Sequence, residues 1–250
     1  GTTSSGSSGT AIMSTGAATG GKGGDILLSI GAGTADIGGH VRVEAGNDDE
    51  DTGGSISLVT GYGTTKSSGS VVVNTYDAGA AGVSGSMTFM TGTTSSGASG
   101  MVKVSTGAAT GGKAGDVLVS VGTGSATAGG DIIASAGTST PLTGGTVSVS
   151  TGTGTSTTSG SVVIRSVNAG AKGVSGSLRF SSGTTSSGTS GLISMATGSA
   201  TDGKAGSFIM SVGSGNTLEG GGIVVSAGET TANTQVAGIV SVTAGYGSST

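Results

Sequence analysis

In the run Gly69-Ser70-Val71-Val72-Val73, a glycine is followed at a distance of two and four residues by apolar side chains, Val71 and Val73. The same arrangement recurs along the whole chain. In the first third it gives Ile26/Leu28 behind Gly24, Val41/Val43 behind Gly39 and Ile56/Leu58 behind Gly54. The glycines Gly1, Gly16, Gly31, Gly46 and Gly61 open successive units of 15 residues, and the unit opened by Gly61 has 16. Counted within a unit, position nine is almost always Gly and positions eleven and thirteen are apolar.

Six such units make a longer repeat of 91 residues. Gly1-Thr2-Thr3-Ser4-Ser5-Gly6 returns as Gly92-Thr93-Thr94-Ser95-Ser96-Gly97 and as Gly183-Thr184-Thr185-Ser186-Ser187-Gly188. Thr15-Gly16-Ala17-Ala18-Thr19 returns at Thr106 to Thr110, and Gly82-Val83-Ser84-Gly85-Ser86 at Gly173 to Ser177. The organisation read from this is a six-coil repeat over 1-91, a second over 92-182 and a partial third over 183-250, in one continuous array. The third copy carries two extra residues between Thr230 and Val236. Both ends of the chain fall inside the pattern, which is expected of a window from a longer array.

An apolar pair at i and i+2 marks one face of an extended strand, because successive strand side chains point to opposite sides. A helix is excluded by this period of two and by 56 glycines in 250 residues. Short strands repeated at constant spacing predict an all-β fold, a parallel β-solenoid of about sixteen 15-residue coils with a flattened, narrow cross-section. Stacked ~4.8 Å apart, sixteen coils would extend roughly 77 Å. An antiparallel meander with one strand per unit is the alternative that fits the same spacing.

Composition narrows the function. More than half of the chain is Gly, Ser or Thr, charged residues are 9%, aromatic residues 2%, and there is no Cys or Trp. Disulfides, thiolate metal sites and thiol catalysis are therefore excluded. Collagen is excluded by the missing G-X-Y period and by a single proline, Pro141. A net charge of −4 without a basic patch gives no footprint for nucleic acid. No apolar stretch reaches the ~18 residues of a membrane-spanning helix.

Four motifs invite a chemical reading. Gly16 to Lys22, Gly107 to Lys113 and Gly198 to Lys204 follow the G-x-x-x-x-G-K spacing of a P-loop. The next residue is Gly23, Ala114 or Ala205, where Mg²⁺ would need a Ser or Thr hydroxyl, and no helix is expected after it. Gly20 to Leu28 fits the nonapeptide of calcium-binding β-rolls, but the repeat here is 15 residues long. Asn47-Asp48-Asp49-Glu50-Asp51 is the one acidic cluster, and Asp48, Asp49 and Asp51 are a weak candidate set of Ca²⁺ ligands. The corresponding positions in the other two repeats, Thr138 to Leu142 and Glu229 to Asn233, lack the cluster, so a solvated turn is the expected reading. His40, the lone histidine, has no partner set for a triad or a metal centre. No cofactor, catalytic residue or enzymatic activity is expected.

Position twelve points away from the apolar pair and is itself often apolar: Ile12, Leu27, Val72, Leu118, Ile133, Val163, Ile209 and Val224. A strand apolar on both faces is usually covered on both. The cover is expected either from the same chain, if this wall faces inward, or from a neighbouring copy through lateral self-association, with end-to-end association at uncapped ends.

The strings Thr91-Gly92-Thr93-Thr94-Ser95-Ser96-Gly97 and Gly173-Val174-Ser175-Gly176-Ser177, set in 91-residue tandem copies, resemble the very long Gly/Ser/Thr-rich repeat proteins of diatoms and other microalgae. The resemblance covers the whole chain. It implies an extracellular or cell-surface fibrous protein, mechanical or adhesive in role, whose Ser/Thr rows are available to a glycan or a mineral surface. Ice binding through flat Ser/Thr rows is the alternative function. The irregular outward positions (Asp25/Leu27/Ser29, then His40/Arg42/Glu44) restrict it to the returning wall of the coil.

Overall fold

From the second unit to the fifteenth, position nine is where the chain meets itself. The computed structural model describes residues 2, 6–34, 37–125, 128–216 and 219–247, which leaves Thr3 to Ser5 of the first Gly-Thr-Thr-Ser-Ser-Gly string outside. A Cβ placed on Gly24 would lie 3.1 Å from Thr15 Cβ, one on Gly69 would lie 3.3 Å from Thr60 Cβ, and one on Gly115 would lie 3.4 Å from Thr106 Cγ2. Each of these glycines therefore packs against the last residue of the preceding unit, nine residues back. The intervening residues leave and return as a small closed loop. Between one loop and the next, positions ten to fourteen run on as a short segment.

Main-chain hydrogen bonds close several loops at their base. The Gly54 N–H donates to the Gly46 carbonyl at 2.8 Å and the Gly69 N–H to the Gly61 carbonyl at 3.0 Å. Their counterparts 91 residues on, Gly145 to Gly137 at 2.9 Å and Gly160 to Gly152 at 3.1 Å, have nearly the same lengths. The loop that follows each 16-residue unit is one residue longer: Gly85 meets Thr75, and Gly176 meets Ser166. A tight turn inside it, Gly82 N–H to Gly79 carbonyl at 3.1 Å, takes up the extra length, and Gly173 to Gly170 repeats it at 3.3 Å. The two-residue insertion of the third copy is absorbed in the same way, by a wider loop closed from Gly238 N–H to the Gly228 carbonyl at 3.0 Å.

These loops fall into two units along the chain, Gly1–Ser120 and Val121–Thr250. In the first, the closures are made by Gly24, Gly39, Gly54, Gly69, Gly85, Gly100 and Gly115. In the second, they run from Gly130, which meets Val121, to Gly238, which meets Ala227.

The predicted β-solenoid is not what forms. Among the described residues there is no helix and no strand, hence no sheet, and no main-chain hydrogen bond joins a residue to its equivalent in the next unit. The antiparallel meander fails for the same reason. The chain closes over eight or ten residues at the base of a loop where a solenoid would need pairing over fifteen, and shorter closures cost less entropy.

The consequence is an open surface. The chain of 22.8 kDa has 24773 Å² accessible to solvent, where a folded monomer of that mass exposes about 9,600 Å² and the unfolded chain about 33,000 Å². No described residue is buried. The half-buried ones are Ala45, Thr60, Thr91, Ala136 and Thr230, and the first four all stand at position fifteen, against the closing glycine.

Alternation of side chains survives without a sheet. Arg42 and Glu44, at positions twelve and fourteen, form a 2.8 Å ion pair, which puts these two side chains on one side of their segment. Ile26 at position eleven is 54% exposed and Leu27 at position twelve 86%, so odd positions lie nearer the flanking loops.

Candidate functional site

Glycine is required at defined points of the loops. Gly6, Gly97 and Gly188, the same position in three repeats, have φ of 88°, 106° and 111°, a conformation that side chains with a Cβ disfavour. At Gly63 a Cβ would stand 2.6 Å from the carbonyl oxygens of Lys66 and Ser67, and at Gly154 it would stand 2.5 Å from that of Thr158. Hydroxyls shape the neighbouring turns. Thr94 Oγ1 donates to the Ser96 carbonyl at 2.9 Å and accepts the Ser96 N–H at 3.3 Å, and Thr185 does the same with Ser187. Much of the Ser/Thr content is therefore loop chemistry.

The acidic cluster sits in the loop closed by Gly54 on Gly46. Asp48 Oδ1 accepts the N–H groups of Glu50, at 2.9 Å, and Asp51. These bonds, that from Asp51 foremost, hold its carboxyl below the usual carboxylate range. One candidate calcium ligand is thus engaged as the acceptor of a turn. Among the described residues no three His, Cys, Asp or Glu side chains gather to hold a metal ion, so Asp48, Asp49 and Asp51 are not brought together as a coordination shell.

The lysines of the P-loop-like strings are ion-paired locally. Lys22 Nζ lies 2.8 Å from the Asp25 carboxylate, and Lys113 repeats this at 2.8 Å from Asp116. The pairing stands where a phosphate would otherwise be held, and no helix follows either string. In the third copy Ser207 replaces the aspartate beside Lys204. His40 is exposed at position ten, at the start of a segment. A shallow hollow is lined by Arg165, Ser166, Val167 and Asn168, where the longer loop begins.

The position-twelve residues are open to solvent: Ile12 83%, Leu27 86%, Val72 80% and Val224 90% exposed. Sequence reasoning missed position fifteen. Its signal was available, since Thr15, Ile30, Ala45, Thr60 and Thr75 are all of the compact or β-branched type that abuts a glycine. No described helix is long and apolar enough to cross a membrane. Comparison with protein families, with curated proteins and with solved structures finds no match.

Proposed function

We propose that the chain is a structural component of an extracellular fibre or filament, with a mechanical and adhesive role and no catalytic step. The observation that carries the reading is the storage of chain length in closed loops. Nine residues separate Thr60 from Gly69, enough to span about 30 Å when extended, yet the two are in contact. One main-chain bond at the base, such as Gly69 to Gly61, contributes about 0.5–1.5 kcal/mol. Loops of this kind open under modest tension and close again when it is released, so that extension is taken up by many equivalent small steps. The exposed Ser and Thr hydroxyls keep the loops hydrated and offer hydrogen bonds to a glycan or mineral surface, which supports placement at the cell surface.

Single-molecule pulling tests the reading. The expected record is reversible lengthening in increments of about 25–30 Å per loop at low force. A curve that follows a freely jointed chain from the first piconewton, with no recoverable increments, overturns it.

A further inference from the structure

We infer that the face formed by positions eleven, thirteen and fifteen is a self-docking surface, and that it is taken by the same face of a second copy of this chain. The inference rests on the structural reading above and names its partner. It starts from the placement of charge. None of the nine Lys or Arg and none of the thirteen Asp or Glu stands at position eleven, thirteen or fifteen of any unit. The charged residues that do enter the segments take even positions, as Asp25, Arg42, Glu44, Lys103, Arg165 and Arg179 do. A composition of apolar and small residues held free of charge over sixteen units marks a face that is meant to be dry.

In the single chain that face is open to solvent: at position eleven Ile26 is 54% exposed and Ile193 47%, and at position thirteen Leu58 is 82% and Phe180 67%. Within either unit the closing glycines shade only position fifteen, as at Thr60 and Ala136, and positions eleven and thirteen stay exposed. An occupant has to present apolar side chains two residues apart at intervals of 15, with steps of 16 after the fifth and eleventh segments and of 17 after the fifteenth. A second copy carries that spacing along its whole length.

The area is sufficient. A large aliphatic side chain buries roughly 60–120 Å², so the eight pairs of either unit, a little over half exposed, offer on the order of 500–1,000 Å² per copy. Stable interfaces bury about 800 Å² per partner, and obligate ones more. The even face, with its charges, remains in solvent. Lateral association is thereby moved from the position-twelve residues to the odd row.

The methionines are a built-in probe. Met13, Met87, Met195 and Met210 stand at odd positions and Met90 and Met101 at even ones, and all six are at least 44% exposed in the single chain. The experiment is hydrogen peroxide footprinting of the full chain at rising concentration, read by mass spectrometry beside light scattering. The expected result is that sulfoxide formation at Met13, Met87, Met195 and Met210 slows about tenfold as the chain assembles, while Met90 and Met101 are unchanged. A charge-matched pair of variants supplies the second measurement. V71D/V117D/V162D is expected to weaken assembly more than about a hundredfold, because charge would be carried into the dry face, and V72D/L118D/V163D is expected to leave it within a few-fold of the parent. Assembly in which both sets of methionines are protected alike, or both variants act alike, overturns the inference and leaves the pulling experiment to judge the function. A chain that stays monomeric at every concentration overturns the inference whatever the pulling curve is.

Discussion

Replacing Gly63 by Ala separates loop closure from glycine content. A Cβ at Gly63 would lie 2.6 Å from two carbonyl oxygens, those of Lys66 and Ser67, and 3.0 Å from Lys66 C, so no side chain can swing aside to admit it. The turn has to open there, and the base bond from Gly69 to Gly61, 3.0 Å long, is lost with it. That bond is worth about 0.5–1.5 kcal/mol. At Gly61 the same substitution meets open space, and the ordinary effect of Gly→Ala is a gain of about 0.4–1 kcal/mol through the unfolded chain. Gly63→Ala and Gly61→Ala are thus expected to differ by about 1–2.5 kcal/mol in loop closure, on the order of five- to seventyfold in the closed-to-open ratio. Amide hydrogen exchange at Gly69, followed by NMR, reads the difference directly, faster in the first variant and slower in the second. The copy at Gly154 and Gly160 provides a replicate within the same chain, since a Cβ at Gly154 would stand 2.5 Å from the Thr158 carbonyl oxygen. Equal exchange in the two variants would refute the closure reasoning.

Two further outcomes follow from the loops. The Asp48 turn depends on an ionised acceptor whose pKa is lowered on folding, so its contribution is complete above the ordinary carboxylate range and is lost as the pH falls through the lowered value. The amide resonances of Glu50 and Asp51 should titrate with Asp48 and cease to do so in Asp48→Asn, and pH-independent shifts in the parent would count against the turn. Thr234 has a φ of 68° in the loop widened by two residues, a conformation that costs a β-branched residue roughly 1–2 kcal/mol. Thr234→Gly should therefore slow exchange of the Gly238 amide, and acceleration would contradict the strain.

Much of the local design was legible in the residues. Pairs such as Val71/Val73 implied period-two extended segments, and the Arg42–Glu44 pair on one side of the chain agrees with that. The glycines at position nine were visible as a constant of the unit, and the 91-residue register recurs in bond lengths and in the φ of Gly6, Gly97 and Gly188. Less legible was what Gly24 or Gly69 returns to. The closing contact is with position fifteen of the unit before, whose Thr, Ser, Ala, Val and Ile residues look like ordinary members of an apolar stripe. The acidic cluster was readable as a turn, but the role of Asp48 as acceptor for Glu50 and Asp51 depends on a backbone geometry that composition does not specify.

The sequence by itself determined the periodicity and the two-sided alternation, because these depend on one residue and its near neighbours. Whether extended segments join into a sheet depends on hydrogen bonds between residues fifteen or more apart, and an i, i+2 pattern is the same whether the neighbour is the next unit, another chain or water. Only the tertiary structure decided that question. Closure over eight residues forestalls pairing over fifteen, and an apolar row that seemed to be the inside of a coil is left open on the surface of the chain.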